Sequence, residues 1–206
     1  MKNYDEDTAF IDMLQMQLQF QRKMLEKRGI ITPDDVSHTS ISKLYEACYH
    51  SACTNVEFAE LLEQFHNDKA ITDNVRLELT DAFIFFLNQI LYMNLTPTKT
   101  LKYYYLQARC NTLQKELTEE YLCELIGKFT CSMGAVLHKT RYKTWKEYSE
   151  LDENLYELIE LLDNAIVDFL RLYVAINMSI QDIYNYFVLK FNVNVERQNT
   201  GGKYEK

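Results

Sequence analysis

Apolar residues recur along this chain at intervals of three and four in one run after another, the period of a helix buried along one side. In the first run Ile11, Leu14, Leu18 and Leu25 form a single stripe, which predicts a helix over about 7–27 that stops at Arg28-Gly29. A polar loop, Thr32 to Thr39, leads to a second helix over about 40–66. Thr72 and Asp73 are suited to cap a third over about 73–94, and Thr96-Pro97-Thr98 breaks it. A Tyr-rich helix follows, to about Asn111, then one over about 118–138 with Glu119 and Glu120 in its first turn, where the helix dipole favours acids. A long helix is predicted over about 145–177. Ser179-Ile180-Gln181-Asp182 resembles a capping box and opens the last helix, which reaches about Asn192 or somewhat beyond. The pattern contains six or seven helices by this count, with no internal repeat and no convincing period-two strand.

Composition strengthens that picture. Only five Gly and two Pro (Pro33 and Pro97) occur in 206 residues, too few for a sheet protein, which turns every eight to twelve positions or so. Hydrophobic residues make up 47% of the chain, enough for a substantial core. The expected fold is therefore all-α, a single-domain helical bundle, with one domain over 1–198 and a polar, Gly-bearing tail over 199–206 expected to be flexible.

Charge and cysteine usage narrow the class. The formal net charge is −8 and no Lys/Arg run tracks a phosphate backbone, which argues against a nucleic-acid polymer or an anionic membrane as main partner. The longest apolar run, Ala82 to Leu95, is short for a bilayer and contains Asn88 and Gln89, so it reads as a core helix. Five cysteines without a C-x-x-C, and no signal-peptide pattern at the start, point to reduced thiols buried as small hydrophobes in a cytoplasmic protein. His50 and Cys53 share a helix face, but no second pair completes a zinc site.

Two carboxylate pairs carry the chemistry. Glu57 and Glu60 are three apart, and at about 100° per residue they share one side of their helix with Cys53 and Gln64. Glu78 and Asp81 repeat the spacing on the next helix, on a face with Asn74, Phe85 and Asn88. An isolated E-x-x-E is most often a solvated helix face. Here two such pairs lie on neighbouring helices that a short loop would fold antiparallel, so the acidic faces can meet. Four converging carboxylates repel and need compensation, which hard divalent cations supply; an all-oxygen site of this kind selects Mg²⁺ or Mn²⁺. Near the end, Lys190, Asn194 and Arg197 are spaced i, i+4, i+7 and fall on one face if the last helix extends that far. Two cations and an amide can clamp a polyphosphate, although basic residues near a helix end also serve its dipole.

In combination these segments resemble the dimeric all-α dUTPase family, relatives of the MazG-type nucleotide pyrophosphatases. Glu57-Phe-Ala-Glu60-Leu-Leu-Glu63-Gln-Phe65 is similar to the family's first metal helix and Asn74-Val-Arg-Leu-Glu78-Leu-Thr-Asp81 to its second. Lys190-Phe-Asn-Val-Asn194-Val-Glu-Arg197-Gln198, with Gly201 shortly after, is similar to its C-terminal segment, and Leu18-Gln-Phe-Gln21 to its Gln-bearing first helix. The resemblance implies a homodimer, of a kind that phages and bacteria carry, that cleaves dUTP, and dUDP, to dUMP with two or three Mg²⁺ per site, Mn²⁺ substituting. It implies Glu57, Glu60, Glu78 and Asp81 as metal ligands, with Glu57 also orienting or deprotonating the attacking water. Lys190 and Arg197 would hold phosphates, Asn194 would position the nucleotide, and Gln21 would face the base. Two alternatives stand beside this: a hydrolase for another deoxynucleoside triphosphate such as dCTP, and a catalytically weak relative that binds nucleotide or a partner protein.

Overall fold

The computed structural model describes residues 4–26, 41–112, 116–140 and 155–200. Seven helices and no strand occur among them: α1 (Ala9–Glu26), α2 (Ile41–Asp68), α3 (Asp73–Tyr92), α4 (Leu101–Asn111), α5 (Glu119–Lys139), α6 (Leu155–Ala175) and α7 (Ile180–Asn199). The all-α expectation holds. Several expected features lie outside the described residues: the stop at Arg28-Gly29, the loop Thr32 to Thr39, the first turns of the long helix from Trp145, and the tail from Gly201 onward. The chain divides into two compact units, Met1–Leu95 with Ile180–Lys206, and Thr96–Ser179.

In the first unit α2 and α3 form a helical hairpin. Its turn is tight because Lys69 adopts a positive φ of 52°, while Thr72 caps α3 by accepting from the Val75 backbone N–H at 3.5 Å. So short a connection forces the two helices antiparallel. α3 is apolar almost all round, with Val75, Leu79, Ala82, Phe83, Phe86, Leu87 and Ile90 fully buried, the pattern of a central helix. Phe10 and Met13 of α1, Phe58 and Leu61 of α2, and Ile183 and Phe187 of α7 complete this core. The Phe10 and Phe83 rings stack at 6.4 Å. One polar tie crosses it: Gln89 Nε2 donates to Thr54 Oγ1 at 2.8 Å, and Thr54 donates to the His50 carbonyl at 2.9 Å.

The second unit contains α4, α5 and α6; the edge-to-face rings of Phe129 and Phe169 at 5.0 Å join α5 to α6. Of the Tyr103-Tyr104-Tyr105 run, Tyr104 is fully buried. Its hydroxyl donates to Asp163 Oδ1 at 2.5 Å and accepts from the backbone N–H of Thr98 and Lys99, both at 3.1 Å. Burial and the neighbouring Asp163 push its pKa up, so the hydroxyl stays protonated and keeps donating.

Scarce glycine does not leave the helices without stops. Asn94 and Asn177 take φ of 53° and 57°. At each, a reversed pair of bonds closes the helix: Asn94 N to Leu91 O with Leu95 N to Ile90 O, and Asn177 N to Val174 O with Met178 N to Tyr173 O. Both follow the Schellman pattern, with Asn where Gly is commonest because its short polar side chain tolerates the left-handed conformation.

The cysteines correct an expectation. Cys48, Cys110, Cys123 and Cys131 are exposed and Cys53 is half-buried. On α5, Cys123 and Cys131 point away from the face that buries Leu122, Leu125, Phe129 and Met133, so helical register, not residue hydrophobicity, sets their exposure. No helix among the described residues is long and apolar enough to cross a membrane.

Tyr104→Phe removes one hydroxyl that serves three groups, stranding two backbone donors and one carboxylate oxygen. Urea unfolding is expected to show a loss of about 1–3 kcal/mol; a loss well below that range would mean that water satisfies the three groups and that Tyr104 matters only for its ring.

Candidate metal centre on the helical hairpin

The antiparallel hairpin aligns the outward flank of α2 with that of α3. Phe58, Leu61 and Phe65 turn α2 toward the core, which places Glu57 and Glu60 at the edge of the α2–α3 seam. Leu79, Ala82 and Phe83 do the same on α3 for Glu78 and Asp81. Carboxylate oxygens of Glu57, Glu60 and Glu78 all come within 4.8 Å of one another. Glu57 and Glu78 are half-buried and Glu60 is exposed.

The electrostatics follow from crowding. Glu57 is pushed up to about 7 from an ordinary value of 4.5, first by burial, then by the charges of Asp81, Glu60 and Glu78; Lys190 pulls it partly back. Glu78 is raised by burial and by Asp81, again against Lys190. Asp81 is raised as well, because burial outweighs the hydrogen bond and charge of Lys190 and the charge of Arg197. The fourth carboxylate thus lies beside the other three but is engaged differently, since Asp81 Oδ2 forms an ion pair with Lys190 Nζ of α7.

α7 continues to Asn199, so Lys190, Asn194 and Arg197 do share one helix face. It is fixed to α3 by Tyr186 Oη, which donates to Asp73 Oδ1 at 2.7 Å. Arg197 is exposed, Asn194 half-buried. Gln21 is buried on α1, 4% exposed, and next to it Phe20 meets Phe191 of α7 edge-on at 5.9 Å. The structure therefore brings Glu57, Glu60, Glu78, Asp81 and Lys190 together, with the charge of Arg197 felt at Asp81. Among the described residues neither Gln21 nor Asn194 is hydrogen-bonded to the carboxylates.

Two features were not foreseen. The Asp81–Lys190 pair left no local trace, since the two residues belong to helices far apart in sequence. A cleft of about 670 Å³ opens between α1 and α7, lined by Tyr4, Gln15, Gln19, Tyr184 and Asn192 among others, and it contains none of the four carboxylates. His50, seven residues before Glu57, is buried among the rings of Tyr49, Phe85 and Tyr92. Burial pushes its pKa down to about 4, so it sits there as a neutral ring.

The donor set suits a hard divalent cation. Three carboxylates from two packed helices offer only oxygen ligands, and their mutual repulsion, which adds to burial in raising Glu57, is what such an ion relieves. Fold and donor set define an all-α protein with an acidic cluster, chemically suited to a divalent cation, on a helical hairpin. The chain belongs to the dUTPase family: the family model described as dUTPase matches residues 10–202. That span includes every candidate residue from Gln21 to Arg197, and membership points to dUTP hydrolysis at the level of the family. Comparison with curated proteins and with solved structures found no match.

The metal-free pH dependence of stability carries two opposed slopes. Glu57 titrates higher folded than unfolded, so the folded state holds the extra proton and stability falls as pH rises from about 4.5 to 7. His50 titrates lower folded than unfolded, so stability falls as pH drops from 6.5 toward about 4. In the presence of a chelator, Glu57→Gln is expected to melt progressively higher than wild type as pH rises through the first window. A constant Tm difference across that window would show that Glu57 is not held above its ordinary value.

Proposed function

We propose that this chain is a Mg²⁺-dependent pyrophosphatase that hydrolyses dUTP, and dUDP, to dUMP, working as a homodimer. The observation that carries the reading is the convergence of Glu57, Glu60 and Glu78 from α2 and α3 in a chain of the dUTPase family. Glu57, Glu60 and Glu78 hold the metal, joined by Asp81. Bound Mg²⁺ neutralises phosphate oxygens and lowers the pKa of an attacking water.

The chain's own groups do the rest. Glu57, beside the other carboxylates at the edge of the seam, orients or deprotonates the attacking water as the general base. Lys190 and Arg197 project from α7 on one face and bind the phosphate oxygens, Arg with two donors to one phosphate. Asn194, between them, positions the nucleotide. Gln21, buried on α1 one residue from Phe20, whose ring meets Phe191 of α7, is the candidate base reader, since a buried amide is costly unless it gains a partner.

A second reading keeps the chemistry and changes the base, with another deoxynucleoside triphosphate such as dCTP as the substrate. Pyrophosphate release measured across a panel of deoxynucleoside triphosphates separates the two. The expected result is release fastest from dUTP, abolished by chelator, and reduced about 10²- to 10⁴-fold in kcat by Glu57→Gln. No release from any nucleotide at saturating concentration would overturn the enzymatic reading. Turnover unchanged by Glu57→Gln would remove that residue from the chemistry.

A further inference from the structure

One cation lies within the acidic site, and it is not a loose surface lysine. Lys190 Nζ pairs with Asp81 Oδ2, and the two side chains are only 15% and 20% exposed. Its stem is held by a helix that is itself anchored, through Tyr186 to Asp73 of α3 and through Phe191, whose ring meets Phe20 of α1 at 5.9 Å. Its charge also reaches beyond its partner, opposing the rise in both Glu57 and Glu78. A lysine whose only task was to meet phosphate would need none of this.

We propose that Lys190 is the built-in counter-cation of the acidic site, holding the Asp81 carboxylate in competition with a divalent metal and so weakening metal uptake until nucleotide phosphates draw the lysine away. This rests on the reading that the four carboxylates bind metal. A half-buried cluster of like charges is unstable without a cation, and Lys190 supplies one while nucleotide is absent, in a pair largely removed from water where its charge is weakly screened. An incoming divalent ion meets that fixed positive charge and a ligand oxygen already engaged. A triphosphate offers Lys190 a second anionic partner. Moving the ammonium from Asp81 to a phosphate oxygen then releases the carboxylate at the moment substrate arrives, so metal and nucleotide favour each other's binding.

Mn²⁺ binding to the full-length protein without nucleotide, followed by electron paramagnetic resonance, tests this apart from activity. Lys190→Met and Lys190→Gln are expected to bind Mn²⁺ about tenfold tighter than wild type, while Lys190→Arg, which keeps the charge, stays within about twofold. In an Asp81→Asn background the gain from Lys190→Met is expected to shrink below about threefold, because the shared carboxylate is gone. Should Lys190→Met lose its helical circular dichroism, Lys190→Gln carries the comparison. Equal or weaker Mn²⁺ binding by the uncharged variants, with wild type binding normally, overturns the competition but leaves the metal site standing. No Mn²⁺ binding by any of them overturns the metal site and the competition with it.

Discussion

Like charges gathered at the edge of an apolar seam constrain everything else in the first unit. Glu57, Glu60 and Glu78 converge because α2 and α3 run antiparallel from a four-residue turn, and those helices run so because their opposite flanks bury Phe58, Leu61, Leu79 and Phe83. Hydrophobic burial, worth about 1.5–3 kcal/mol for each large side chain, supplies the free energy that holds the carboxylates closer than their charges favour. Burial first, and then the neighbouring carboxylates, hold Glu57 above its ordinary value. α7 moderates this rise by placing Lys190 against Asp81, so the third helix of the site is there for charge as much as for packing.

This arrangement sets the candidate ligands on helices held by the buried core of the unit. α3 is buried nearly all round, and the only strongly polar groups on its inner length, Asn88 and Gln89, lie deep. Gln89 ties α3 to α2 through Thr54. A metal or substrate group presented to the acidic edge would therefore meet ligands whose backbone positions are fixed by the core, which is how precise sites are commonly supported. The neutral His50 belongs to that support: wrapped in rings, it contributes shape without adding a further charge.

Much of the fold was readable from residue spacing. The apolar stripes placed all seven helices, and Thr72 and Thr118 marked starts that the structure shows as caps. What could not be read follows from geometry that spacing does not encode. Asn94 and Asn177 look like ordinary polar residues until their positive φ values show them closing helices in place of glycine. The cysteines were expected inside by residue type, but register turned four of them to solvent. In the site, the three-residue spacing placed each acid on its helix face, and the short loop brought the faces together. The pairing of Asp81 with Lys190 depended on where the last helix returns, which no local pattern specifies. Lys190, Asn194 and Arg197 share a face only because α7 runs on to Asn199, past the point where its apolar pattern fades.

The proposed function requires a divalent metal and a nucleotide polyphosphate to meet at the α2–α3 edge. A crystal structure with Mn²⁺ and a non-hydrolysable dUTP analogue tests it most directly. The expected result is anomalous density for Mn²⁺ coordinated by Glu57, Glu60 and Glu78, with the polyphosphate facing Lys190 and Arg197. Mn²⁺ or nucleotide found elsewhere, for instance in the cleft between α1 and α7 while the carboxylates stay without metal, would contradict it.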